Sequence, residues 1–194
     1  MKNKNYVYNM VVIAMFAAVL GVVAPFSINI GPIPISFATM IVMIAAFALG
    51  PVRATASVGI YLLLGLVGVP VFSNWGAGPG KLFGPTGGYL IGYLFLSAIV
   101  GAFAILGEKC KIKNKESKLG TVMFYVTGVA GMIVGNVVLY FFGTAWFLLI
   151  SEGKTLETAL TYCVIPFLPG DAIKCVIAVV LGPVLANVVK RFQR

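Results

Sequence analysis

Long apolar runs, most of them near the length needed to cross a bilayer and separated by short breaks, constrain this chain more than any other feature. A hydrocarbon core of about 30 Å takes roughly 20 residues of helix. Tyr6 to Ala24 meets that length, Ser36 to Gly50 is short for a span, and Ala54 to Val69 is a third segment. Thr86 to Leu106 and Asp171 to Val189 are further spans. Between them Leu119 to Ile150 exceeds one span, so it tilts, bends or ends in an interfacial stretch near Trp146. Water cannot solvate such a surface: 60% of the residues are hydrophobic and 10% charged, whereas soluble domains average about half and about a quarter. The expected fold is all-α and membrane-integral, with six transmembrane helices in a single domain over residues 1–194. The first run passes directly into the second, and Ala24-Pro25-Phe26 is a poor cleavage site, so it reads as a span and not as a signal peptide.

Six spans put both termini on one side. That side carries Lys2, Lys4, Arg53, Lys109, Lys111, Lys113, Lys115, Lys118, Lys190, Arg191 and Arg194, with Glu108 and Glu116. The other carries Lys81, Lys154 and Lys174 against Glu152, Glu157 and Asp171. The positive-inside rule then places both termini in the cytoplasm. The whole net charge of +9 falls on the inner side, so it reports topology and implies no nucleic-acid partner. Cys110, Cys163 and Cys175 form no C-x-x-C pair, and the chain has no histidine. A zinc site and imidazole-based nucleophilic catalysis are therefore not expected. No catalytic residue, metal or cofactor is assigned, and an enzyme is not expected. No nucleotide-binding motif is visible.

The breaks differ in kind. Pro51-Val52-Arg53 reads as a tight turn, and Lys109 to Lys118 as a charged loop. Pro25 to Pro34, Pro70 to Pro85 and Ser151 to Gly170, all on the outer side, are rich in proline, glycine, aromatics and lone polar groups. Irregular backbone near a membrane is tolerated where it is buried in protein or lines a cavity, which puts the candidate site on the outer face.

Pro166-Phe167-Leu168-Pro169-Gly170-Asp171-Ala172-Ile173-Lys174 is the strongest constellation. Asp171 reads as opening a helix, and Lys174 three residues on shares its face. One reading is a helix cap with a local ion pair; the other is an acceptor and a donor offered to one polar solute, since intramembrane ionisable groups are costly and usually face a cavity. In Lys81 to Tyr93, Gly84, Gly88 and Gly92 form a small-residue stripe for close helix packing. Gly87 beside Thr86 and Tyr89 can expose N–H groups to an anion, and Lys81 can meet a carboxylate or simply be solvated. Ser36 and Thr39 either cap the second span or line the same pocket. Asn136 and Tyr140, one turn apart, suit helix–helix hydrogen bonding or ligand contact. Phe72 and Trp75 supply aromatic walls. Ala14, Ala17 and Ala18 give the first span a smooth face.

These residues resemble the BioY family, the biotin-binding S components of energy-coupling factor (ECF) transporters. The resemblance rests on Gly84-Pro85-Thr86-Gly87-Gly88-Tyr89-Leu90, on Pro166-Phe167-Leu168-Pro169-Gly170-Asp171 with Lys174, and on Pro34-Ile35-Ser36 with Thr39. Gly65-Leu66-Val67-Gly68-Val69-Pro70-Val71-Phe72 and Ala14-Met15-Phe16-Ala17-Ala18 extend it over nearly the whole chain. Ala38 departs from the glutamine usual there. The resemblance implies a six-helix S-component fold in the bacterial plasma membrane. It implies biotin capture from outside, and docking through the Ala14, Ala17 and Ala18 face onto a T component served by two cytoplasmic ATPases. Asp171 and Lys174 would meet the ureido ring, Lys81 and the Thr86-Gly87 backbone the carboxylate, and Phe72, Trp75 and Tyr89 the apolar parts; the reversed ligand, with its carboxylate on Lys174, stays open. The alternatives are an S component for a different small vitamin and a small-solute channel. A channel would carry polar residues along several spans, and here they gather at one end.

Overall fold

The computed structural model describes residues 2–29, 33–113, 118–151 and 155–193. Gly31, Pro32, Lys115, Glu116, Glu152, Lys154 and Arg194 lie outside the described residues, as do the side chains of Lys2, Lys4, Lys113 and Lys118. Helix α1 (Lys2–Val23) leads into a two-stranded antiparallel hairpin, β1 (Ser27–Ile28) and β2 (Ile35–Ser36), with Ser27 opposite Ser36. Helices α2 (Ala38–Leu49) and α3 (Pro51–Val67) follow, then a 3₁₀ turn (Ser73–Trp75) and the one-turn α4 (Pro79–Leu82). The remaining helices are α5 (Gly87–Lys113), α6 (Lys118–Ile150), α7 (Leu156–Cys163) and α8 (Phe167–Gln193). Among the described residues four helices, α1, α5, α6 and α8, are long and apolar enough to cross a membrane. The apolar helices α2 and α3 are shorter, with 12 and 17 residues.

Helix α2 is the hub. Every residue in it except Met40 is buried, and it packs on α8, α5, α3 and α1. At about 1.5 Å per residue it is roughly 18 Å long, well short of a hydrocarbon core. Gly50 stops α2 with a positive φ of 79° and accepts no Cβ strain in doing so. Pro51 then opens α3, where its missing N–H would have no helical partner anyway. The expected Pro51-Val52-Arg53 turn is thus a correction: the turn rests on Gly50, and these three residues are the first turn of α3.

The α5–α6 pair is the most closely packed in the bundle. A Cβ on Gly88 would lie 2.3 Å from Trp146 Cβ, and one on Gly92 2.7 Å from Leu139 Cδ1. The small-residue stripe therefore sets the distance between these helices. The charged stretch expected as a loop continues α5 as far as Lys113. The stretch from Leu119 to Ile150 lies in one 33-residue helix, with Trp146 inside it donating Nε1 to Gly84 O at 3.0 Å. The stretch from Ser151 to Gly170, expected to be irregular, contains α7 and the start of α8. That start is Phe167, so Asp171 sits about one turn inside the helix and does not open it. Pro169 falls in the first turn, where proline is tolerated. Large apolar side chains such as Val11, Met15, Val126, Ile133, Phe141, Val176 and Val180 face outward, as lipid requires and water does not.

Candidate solute-binding site

Asp171 and Lys174, three apart on α8, are both buried, and form an ion pair of 2.8 Å. Lys174 Nζ also donates to Ser36 O at 2.8 Å and to Thr39 Oγ1 at 3.1 Å. An ammonium has three donors, and here all are used. Asp171 Oδ2 accepts from the Tyr140 hydroxyl at 2.5 Å. Each carboxylate oxygen thus takes one protein donor and keeps acceptor capacity for another. Local backbone structure explains the presentation of Ser36. Its own hydroxyl donates to Ala24 O at 2.9 Å and accepts from Ala38 N at 3.0 Å, which turns the chain from β2 into α2. What it offers Lys174 is its carbonyl.

These groups line one cavity. Small-molecule sites combine apolar walls with a few placed polar groups in this way. Ser36, Thr39, Phe72, Lys81, Thr86, Tyr89, Tyr140, Asp171 and Lys174 line it. Phe72 is fully buried against Tyr61, with ring centroids 5.6 Å apart. Tyr89 stacks on Phe167 at 5.9 Å and donates its hydroxyl to Cys163 O at 2.7 Å. Thr86 Oγ1 reaches back to Lys81 O at 3.4 Å. Among the described residues Lys81 forms no ion pair.

Three residues expected at the site lie off the cavity. Gly87 donates its N–H to Gly84 O at 2.9 Å, and a Cβ there would lie 1.8 Å from Leu82 O. Its glycine answers to packing, and its N–H is already satisfied. Trp75 points outward, 61% exposed, with its ring edge-on to Phe26 at 5.7 Å. Asn136 is buried below the cavity, its Nδ2 facing Cys175 Sγ at 3.5 Å and Met43 Sδ at 3.8 Å. Of the expected docking face, Ala14 and Ala18 are exposed. Ala17 is a correction: it is 1% exposed, because it lies on the side of α1 turned into the chain.

The cavity also takes in Tyr93, Phe167, Leu90, Leu139, Ser73, Ile33 and Pro34, which the sequence did not single out as site residues. Tyr93 follows Tyr89 by one helical turn, and Phe167 precedes Asp171 by one; both were in phase with residues already chosen. Next to Ser73, which lines the cavity, the hairpin and the 3₁₀ turn are tied together. Ser27 Oγ donates to Asn74 Oδ1 at 2.8 Å, and Asn74 Nδ2 to Asn29 Oδ1 at 2.8 Å. Asn74 and Trp75 hold positive φ of 58° and 57° to make this join, a conformation that costs non-glycine residues energy.

An apolar helical bundle with a buried acid–base pair, an unpaired lysine and aromatic walls around one terminal cavity is a membrane-embedded receptor for a small polar solute. The sequence model of the BioY family matches residues 1–191, and the chain belongs to that family. It is 35% identical to the biotin transporter BioY of Rhizobium etli over 90% of each chain. It is 32% identical to the biotin transporter BioY of Thermotoga maritima, over 87% of this chain and 89% of that one. A crystal structure of the S-component for biotin from an ECF-type ABC transporter matches with a TM-score of 0.79 at 29% identity, covering 98% of this chain and 95% of that chain.

Proposed function

We infer that this chain is the biotin-binding S component of an ECF-type transporter, a transport subunit and not an enzyme. The observation that carries the reading is the Tyr140–Asp171–Lys174 cluster, a polar centre buried in the wall of an otherwise apolar cavity. Biotin has a ureido ring with two N–H donors and one carbonyl acceptor, an apolar bicyclic body and tail, and a terminal carboxylate. Asp171, with spare acceptor capacity on each oxygen, suits a ureido N–H. Lys174 exchanges one of its three bonds to reach the ureido carbonyl. Phe72, Tyr89, Leu139 and Phe167 suit the apolar body. Lys81 and Thr86 suit the carboxylate. The charge of Lys174 is already met by Asp171 while that of Lys81 is not, which favours this orientation over the reversed one.

The whole chain, 1–194, is read as one domain with six spans, α2 and α3 crossing beside the four long helices. Both termini are cytoplasmic, in the plasma membrane of a bacterial cell. The exposed Ala14 and Ala18 side of α1 is the surface for a T component, itself driven by two ATPases; biotin is cargo, and no cofactor is assigned.

Titration of the purified protein with biotin, biotin methyl ester, thiamine and riboflavin tests the reading. Biotin binds and the other two vitamins do not. Asp171→Asn and Lys174→Ala each weaken biotin by about 10- to 100-fold, the range expected for hydrogen bonds to charged groups. Lys81→Ala weakens biotin but leaves the ester unaffected. Absence of binding at micromolar biotin refutes the function. Full affinity in both the Asp171 and the Lys174 variants refutes the site.

A further inference from the structure

A second cavity opens at the end of the bundle opposite the solute pocket. It exists because α2 is short. Below Leu49 and Gly50 the longer helices α5, α6 and α8 continue and enclose empty space. Its floor is apolar, formed by Phe47, Ala48, Phe124 and Ala186. Its rim is charged. Arg53, Glu108 and Lys190 line it, and Lys111 lies with its ammonium 5.2 Å over the ring of Phe124.

The charges at this rim do not balance. Glu108 is paired with Lys190. Arg53 is half-buried and held in place by Leu49 O, at 2.9 Å from Nε, and by Asn9 Oδ1, at 3.2 Å from Nη1. Both partners are neutral. Among the described residues no carboxylate pairs with it. Buried charge is normally compensated, and a preorganised guanidinium fits phosphate oxygens well. Arg53 over an apolar floor, with the exposed Lys111 above Phe124 beside it, complements an amphiphile with an anionic head.

We propose that this inner cavity binds the phosphate headgroup of an anionic phospholipid, with Arg53 as its principal contact. Ile105, a wall residue, is 39% exposed, so part of the apolar wall stays open. Basic pockets between helices on the cytoplasmic side are the usual places for such headgroups. The apolar floor favours a lipid over an acidic side chain of a partner protein. The proposal rests on the inner placement of this end given above.

Nanodiscs of phosphatidylcholine alone, or with about one quarter phosphatidylglycerol, test it. A ligand that binds only the folded state raises the unfolding temperature. Phosphatidylglycerol raises the midpoint of the wild-type chain by about 5 °C, a shift within reach of one such site in a protein of this size. Arg53→Gln abolishes the shift, Arg53→Lys keeps part of it, and Lys109→Gln, on the exposed surface, keeps all of it. Phospholipid retained through detergent purification, read by mass spectrometry, is enriched in phosphatidylglycerol for the wild type and not for Arg53→Gln. Equal midpoints in the two lipids, or an undiminished shift in Arg53→Gln, overturns the proposal. A matching shift from inorganic phosphate in phosphatidylcholine discs assigns the site to a soluble anion and overturns the lipid. Loss of partner co-purification in Arg53→Gln with no lipid effect assigns it to a protein interface, and also overturns it. Biotin titration in the same discs keeps the two readings apart: intact biotin binding without lipid dependence sinks only this inference, and the reverse sinks only the proposed function.

Discussion

Lys174 is a buried charge in an apolar bundle, and three acceptors answer it: a carboxylate, a carbonyl and a hydroxyl. Removing one partner of such a pair leaves the other uncompensated, at a cost of about 3–5 kcal/mol. Asp171→Asn is therefore expected to lower the unfolding midpoint as well as biotin affinity. The double change Asp171→Asn with Lys174→Met recovers the midpoint but not the affinity, and thermal unfolding beside calorimetric titration separates the two effects. Tyr140→Phe removes one hydrogen bond to Asp171 and little volume. It is expected to weaken biotin about tenfold with the midpoint nearly unchanged, because packing of the ring is retained. The Asp171–Lys174 pairing was legible in their three-residue spacing. The role of Ser36 was not, since its side chain serves the turn and its carbonyl serves the lysine, a difference set by backbone direction.

At the scale of elements, the long apolar helices were plain in the sequence and their ends were not. The run of lysines after Leu106 suggested a loop, yet α5 continues through it to Lys113. Lysine is a good helix former, and charge says where a helix leaves lipid, not where it stops. Pro169 suggested a boundary, yet α8 starts two residues earlier because proline fits a first turn. The glycines on the α5–α6 contact give a sharp prediction. Gly88→Val places branched carbons where Trp146 Cβ and Phe142 O already lie, 2.3 and 2.6 Å from the first added atom. Both neighbours are fixed in α6, so the helices have to separate; the variant is expected to lose most of its folded yield in size-exclusion chromatography. Gly92→Ala meets chiefly the flexible Leu139 Cδ1, and is expected to fold with a lowered midpoint.

For the whole molecule, the two ends of the bundle have different chemistry. One end holds the solute cavity beside its tied loops, and the other the unbalanced cations around the inner cavity. The proposed orientation follows from that difference and from the positive-inside rule. In intact cells, after replacement of the native cysteines, Trp75→Cys is expected to react with a membrane-impermeant maleimide, and Lys111→Cys to react only after the cells are opened. The opposite pattern would invert the orientation and place the capture cavity toward the cytoplasm.

Hydrophobicity adds up along a chain residue by residue, and so do charge bias and loop composition. For that reason the membrane class, the gathering of polar residues at one end of the bundle and the family motifs could be read from the sequence alone. Direction does not add up in this way. Whether Trp75 faces in or out, whether the Gly87 N–H is free, and whether Asn136 lines the cavity all depend on where helices begin and what they pack against. Only the tertiary structure decided those points, and only it could reveal the cavity under α2, because a void is left by the mismatch in length between neighbours distant in sequence.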